Sequence, residues 1–113
     1  MGQEGSWSVP FFDGDGDNTA QVMKASGGYL SFLEVQNPNA TNAYIQLFDA
    51  LAANVTVGTT TPAMSLLVPA GGAMDKMWDR PLKFETAITY ACTTTATGSG
   101  DPTTGLIVDG GYI

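Results

Sequence analysis

Asp13, Asp15 and Asp17 stand at alternate positions in Asp13-Gly14-Asp15-Gly16-Asp17-Asn18, and carboxylates so spaced can converge on a hard cation such as calcium. The spacing matches the opening of an EF-hand loop. The sixth position, however, is Asn18 where glycine is usual, and the twelfth is Lys24 where a bidentate glutamate should stand. No amphipathic helix flanks the stretch, so it reads first as a solvated acidic turn, with these aspartates as a weak calcium candidate. Other chemistry is thin. The chain has no histidine and one cysteine, which excludes a Ser-His-Asp or Cys-His pair, an internal disulfide and the usual zinc sites within these residues. Cys92 has no basic neighbour in sequence to activate it and reads as a small buried hydrophobe. Glu34 and Glu85 could flank a glycosidic bond, but nothing in their spacing singles them out. No catalytic residue and no cofactor are expected. Trp7, Trp78 and Tyr29 could form aromatic platforms for a carbohydrate, against the plainer reading of core or rim packing.

A chain of 113 residues suits one domain with a real core, and its formal charge of −7 repels nucleic acid and anionic membrane surfaces. With 13% charged residues against 43% hydrophobic ones it is no disordered acidic tail. No apolar run is long enough to span a membrane, and no basic region followed by an apolar core opens the chain. Synthesis in the cytoplasm is the expectation.

The elements that would position any site are short strands. Residues 29–36 alternate Tyr29, Ser31, Leu33 and Val35 with Leu30, Phe32, Glu34 and Gln36, the period of a central strand with two largely apolar faces. Asn37-Pro38-Asn39 stops it, and a second apolar run, residues 43–51, would complete a hairpin. Tyr44, Leu47, Phe48 and Leu51 also fit a helix face, but the β-rich surroundings favour a strand. Around this pair the sequence predicts an edge strand near Trp7, Val9 and Phe11 with Pro10 at the sheet border, and a short edge strand within residues 19–25. It further predicts strands at residues 55–58, 64–68, 82–93 and 106–108. Residues 74–81 read as one helical turn or an irregular loop, and residues 94–105 as a polar connection. The expected fold is an all-β, antiparallel β-sandwich of jelly-roll-like form with seven to eight short strands. Residues 1–18 are expected as an N-terminal arm or edge strand with an acidic turn, and residues 19–113 as the sandwich domain.

The order Leu33-Glu34-Val35-Gln36-Asn37, Ala43-Tyr44-Ile45-Gln46-Leu47-Phe48-Asp49, Val57-Gly58-Thr59-Thr60-Thr61-Pro62 and Leu82-Lys83-Phe84-Glu85-Thr86-Ala87-Ile88-Thr89-Tyr90-Ala91 resembles small virion proteins of tailed bacteriophages, among them capsid cement or decoration proteins. The resemblance spans roughly residues 29–95 and carries no active-site signature. It implies a structural protein made in a bacterial host and carried on the capsid surface. There it binds the major capsid protein and itself, as a homotrimer, with no nucleic acid or membrane partner. Contacts are expected from the N-terminal arm or from residues 74–81, with Trp7, Phe11, Phe12, Met77, Trp78 and Arg80 as candidates. Lys76, Arg80 and Lys83 also gather three of the four basic residues near Trp78. The alternatives are a carbohydrate-binding β-sandwich module or a tail or head-fibre accessory.

Overall fold

Short runs of β-branched and aromatic residues, cut apart by glycine, proline and asparagine, fold as strands because only stacking two sheets can bury their alternating apolar faces. The computed structural model describes residues 8–113. In it β1 (Val9–Gly16), β2 (Gln21–Lys24), β3 (Gly28–Gln36), β4 (Ala43–Phe48), β5 (Met64–Val68), β6 (Ala73–Phe84), β7 (Ile88–Thr93) and β8 (Leu106–Tyr112) form two four-stranded sheets. Their orders are β1-β8-β3-β6 and β2-β7-β4-β5, with every neighbouring pair antiparallel. Chain-consecutive strands lie in opposite sheets except for β4 and β5, the connectivity of a jelly roll. Leu30, Leu33, Val35, Ile45, Leu47, Val68, Phe84, Ile88, Tyr90, Leu106 and Val108 fill the space between the sheets.

β3 is central, as its sequence predicts, but its phase changes midway. Leu30 and Leu33 both face the core because the pairing slips between Leu30 and Phe32. On the β6 side the slip is large: Phe32 stands opposite Met77 and Leu30 opposite Leu82, so residues 78–81 bulge from the sheet edge. That bulge replaces the helical turn or loop expected for residues 74–81. The bulge, Pro81 and the charges of β6 leave a poor template for adding a further strand.

The expected hairpin of β3 with β4 does not form. The buried Asn37 side chain donates to the carbonyls of Thr41 at 2.9 Å and Val68 at 3.1 Å, and its Oδ1 accepts from the Asn39 amide at 2.9 Å. Asn37 thereby ties the end of β3 to the far end of β5, and the chain crosses to the other sheet. Residues 55–58 are not a strand either. A 3-10 turn, Ala52–Asn54, precedes them, and the Thr59 and Thr60 amides both donate back to the Thr56 carbonyl. The long strand expected over residues 82–93 is two strands in different sheets, parted at Asp49. The Asp49 carboxylate accepts from the amides of Glu85 at 3.0 Å, Thr86 at 2.8 Å and Ala87 at 3.4 Å, which fixes the turn between β6 and β7. At the opposite end Pro69-Ala70-Gly71-Gly72 makes the expected tight turn, with Gly71 at φ +64° where a side chain would be strained.

Desolvation raises the Asp49 carboxyl, but the three amide donors outweigh it and hold the group below the ordinary aspartate range. A depressed folded-state value contributes stability above the unfolded value, and the contribution disappears as pH falls through the folded one. Asp49→Ala is therefore expected to lower unfolding free energy by about 1 kcal/mol at neutral pH. Urea titrations at pH 7 and pH 3 check this, with the gap between variant and parent narrowing at the lower pH.

The two sheets differ on their outer faces. Over β4 and β7 the outside of β2-β7-β4-β5 is covered by the chain's own loops, so that Gln46, Phe48, Thr89, Ala91 and Thr93 are buried although they point away from the core, while Leu67 on β5 stays exposed. Gln46 Nε2 donates to Thr93 Oγ1 at 2.7 Å and to the Gly98 carbonyl at 3.0 Å. Ser65 donates to Ala96, and Thr89 donates to Ala50. Among the described residues nothing covers the outside of β1-β8-β3-β6 in this way.

Candidate functional site

Pairing across the uncovered face sets its side chains in rows. Phe12, Asp109, Glu34 and Asp75 stand opposite one another on β1, β8, β3 and β6. The next outward row is Pro10, Gly111, Phe32 and Met77. Between these rows lies an inward one containing Phe11 and Leu33, the alternation that the strand period requires. Phe12 is 65% exposed and Met77 80% exposed, far more than large apolar side chains usually are in a folded domain.

Phe32 and Glu34 form a ridge between two open grooves. One, of about 510 Å³, runs over β8 between β1 and β3 and is lined by Pro10, Phe12, Phe32, Glu34, Asp109 and Gly110, with Phe11 at its base. The other, of about 280 Å³, lies between β3 and β6 beside Asp75, Lys76 and Met77. Gly111 shapes the ridge. A Cβ there would run into the Phe32 ring, so only glycine lets that ring lie down over β8.

The carboxylates on this face repel one another. A hydrogen bond with the Asp75 carboxyl, reinforced by the charges of Asp75 and Asp109, holds Glu34 above the ordinary carboxylate range. The one ion pair among the described residues, Lys83 with Glu85 at 3.3 Å, joins the end of β6 to the exposed turn after it and does not involve this row. Glu34 and Glu85 thus have separate settings.

The aspartates of the calcium candidate are not brought together. β1 continues through Asp13 and Asp15 where an acidic turn was expected. Asp13 accepts from the Tyr90 hydroxyl at 2.5 Å and from the Asp15 amide at 2.9 Å, and Asp17 accepts from the Thr19 amide at 2.9 Å. Among the described residues no group of three acidic, histidine or cysteine side chains is placed to hold a metal ion. Asp13 instead serves the core, because it satisfies the phenol of a tyrosine that is 1% exposed.

Among the expected contact residues, Phe12, Met77 and Arg80 are exposed. Phe11 and Trp78 are half-buried against the core, and Phe11 packs edge-on to Tyr90 with ring centroids 5.5 Å apart. Trp7 lies outside the described residues. Tyr29 is exposed at the other end of β3, away from both grooves. Phe32, Asp75 and Asp109 were missed, since their convergence depends on which strands become neighbours. The available signal was the i, i+2 placement of Phe32 and Glu34, which puts both on one face of a strand.

Cys92 is fully buried, as its sequence setting suggests, and burial together with the charges of Asp13 and Asp17 pushes its thiol up to about 12. Burial and the bond to Asp13 also lift Tyr90 well above the ordinary phenol range. Both groups hold their protons longer in the folded chain than in the unfolded one. Their contribution is complete below the unfolded values and is lost as pH rises through the folded ones. Stability should therefore fall from about pH 9 upward. Cys92→Ala should flatten that fall in urea titrations between pH 8 and 11.

No known protein family, curated protein or solved structure shows a significant match to the chain.

Proposed function

We propose that this chain is a structural virion protein that docks on the outside of an assembled phage capsid and stabilises it. The observation that supports this reading best is the contrast between the two sheet faces. Loops bury the outer side chains of β4 and β7 on one, while the other presents Phe12, Phe32 and Met77 with no cover among the described residues. Four strands at about 4.8 Å spacing make a face roughly 20 Å wide. At about 3.3 Å per residue, strands of about eight residues make it roughly 26 Å long, a face of roughly 500 Å². That is smaller than the roughly 800 Å² a partner contributes to a standard interface, so one copy alone binds weakly. Attachment in many copies removes that weakness. A protein that binds only the assembled shell lowers its free energy relative to dissociated subunits, and repeated contacts add. The major capsid protein is the partner in this reading, and a homotrimer its expected assembly.

Phe12 and Phe32 beside Glu34 and Asp109 favour a carbohydrate-binding module as the second reading, since rings and carboxylates together can hold a sugar. Co-sedimentation separates the two. The capsid reading expects the labelled chain to pellet with assembled shells and to ignore dissociated shell subunits. Failure to pellet with shells, combined with retention on a glycan column, would overturn it.

A further inference from the structure

The larger groove asks two things of an occupant. Phe12 and Phe32 present apolar ring surface, and Glu34 and Asp109 stand beside them in a row with Asp75. Among the described residues no lysine or arginine forms an ion pair with that row. Lys76, exposed on β6, lines the neighbouring groove beside Asp75 but pairs with no carboxylate among the described residues. Lys83 is bound to Glu85, and Lys24 lies over the Tyr112 ring with its ammonium 5.9 Å from the centroid. The row is thus free of ion pairs among the described residues and can accept a cation from outside the protomer.

We propose that the groove between β1 and β3 receives an arginine side chain of the partner. The guanidinium lies against the aromatic surface and directs its fork toward Glu34 and Asp109. This deepens the capsid reading and rests on it for the identity of the partner, an assembled shell subunit. Arginine is favoured because its planar, weakly hydrated cation can stack on a ring and donate to carboxylates at once. A lysine ammonium satisfies the carboxylates but offers no plane to the rings. A neutral sugar satisfies the rings but leaves the carboxylates uncompensated.

The test is a proton–nitrogen NMR titration of the folded chain with the capped peptide acetyl-Gly-Arg-Gly-amide, its lysine counterpart, and maltotriose. The arginine peptide is expected to shift the amides of Phe12, Phe32, Glu34 and Gly110. The double variant Glu34→Gln with Asp109→Asn, whose spectrum also reports that it folds, should weaken that binding about fivefold, as should Phe32→Leu. Scattered shifts unchanged in the variants would overturn the proposal, as would equal binding of the lysine peptide or a groove response to maltotriose alone. Groove shifts that grow with the chain's own concentration and vanish in Arg80→Gln would overturn it in favour of a second copy as occupant. The same variants in shell co-sedimentation keep the two readings apart. Peptide binding without shell binding supports the arginine site and removes the capsid reading. Shell binding indifferent to the double carboxylate variant overturns the arginine site and leaves the capsid reading in place.

Discussion

Replacing Phe12 and Met77 together by aspartate is expected to weaken shell attachment at least about a hundredfold while leaving the melting temperature within a few degrees of the parent. Both side chains point away from the core, at 65% and 80% exposure, so the fold does not depend on them. They stand on opposite edge strands of the uncovered sheet, β1 and β6, on either side of the Phe32 and Glu34 ridge. A partner lying across that face would touch both. New carboxylates there would add to the existing row of Asp109, Glu34 and Asp75, so desolvation and repulsion would act in the same direction. Quantitative pelleting with shells and a thermal melt, made on one preparation, read both halves of this expectation. The matching change on the other sheet, Leu67→Asp at a 46% exposed position, should leave attachment unaltered.

Gln46→Ala is the second large effect, and it concerns stability. Gln46 is fully buried in the middle of β4, pointing outward beneath the residue 94–105 connection. Its Nε2 bonds to Thr93 Oγ1 and the Gly98 carbonyl hold that connection down, and Ser65 adds a bond to Ala96. Removing the amide leaves buried acceptors without a donor and opens a cavity, for an expected loss of about 3 kcal/mol. Gln46→Leu fills the volume without restoring the donor, and about 2 kcal/mol should remain lost. Gln46 Oε1 itself has no partner among the described residues, so the amide acts through its nitrogen. Urea unfolding measures the loss, and hydrogen exchange should show faster opening of the 94–105 connection in both variants.

Strand positions were largely legible in the sequence because local alternation determines them. β3 and β5 lie where apolar periodicity and turn residues place them, β4 starts there but ends at Phe48, and β8 starts there but runs on through Asp109, Gly110 and Gly111 to Tyr112, beyond the expected residues 106–108. Connectivity was not legible, since a two-residue alternation says nothing about which sheet a strand joins. Asn37 and Asp49 decide the two crossings that defeat the expected hairpin and the expected long strand, and each acts through bonds to residues distant in sequence, Val68 in one case and Glu85 to Ala87 in the other. The β6 bulge was hidden for the same reason. Its residues look irregular alone and become a strand edge only beside β3.

The site was half legible. Phe12 and Met77 stood among the expected contact residues and are exposed, whereas the chemistry that drew attention first, the aspartates at 13, 15 and 17, turned out to support strand and core geometry. Carboxylates that do meet, on β3, β6 and β8, are separated by tens of residues and share a row only after the sheet forms.

The most direct measurement is the number of copies of this chain per major shell subunit in purified particles, by quantitative mass spectrometry. A ratio near one is expected, falling to almost none in particles grown with the Phe12→Asp, Met77→Asp variant. A handful of copies per particle, or none, would contradict it.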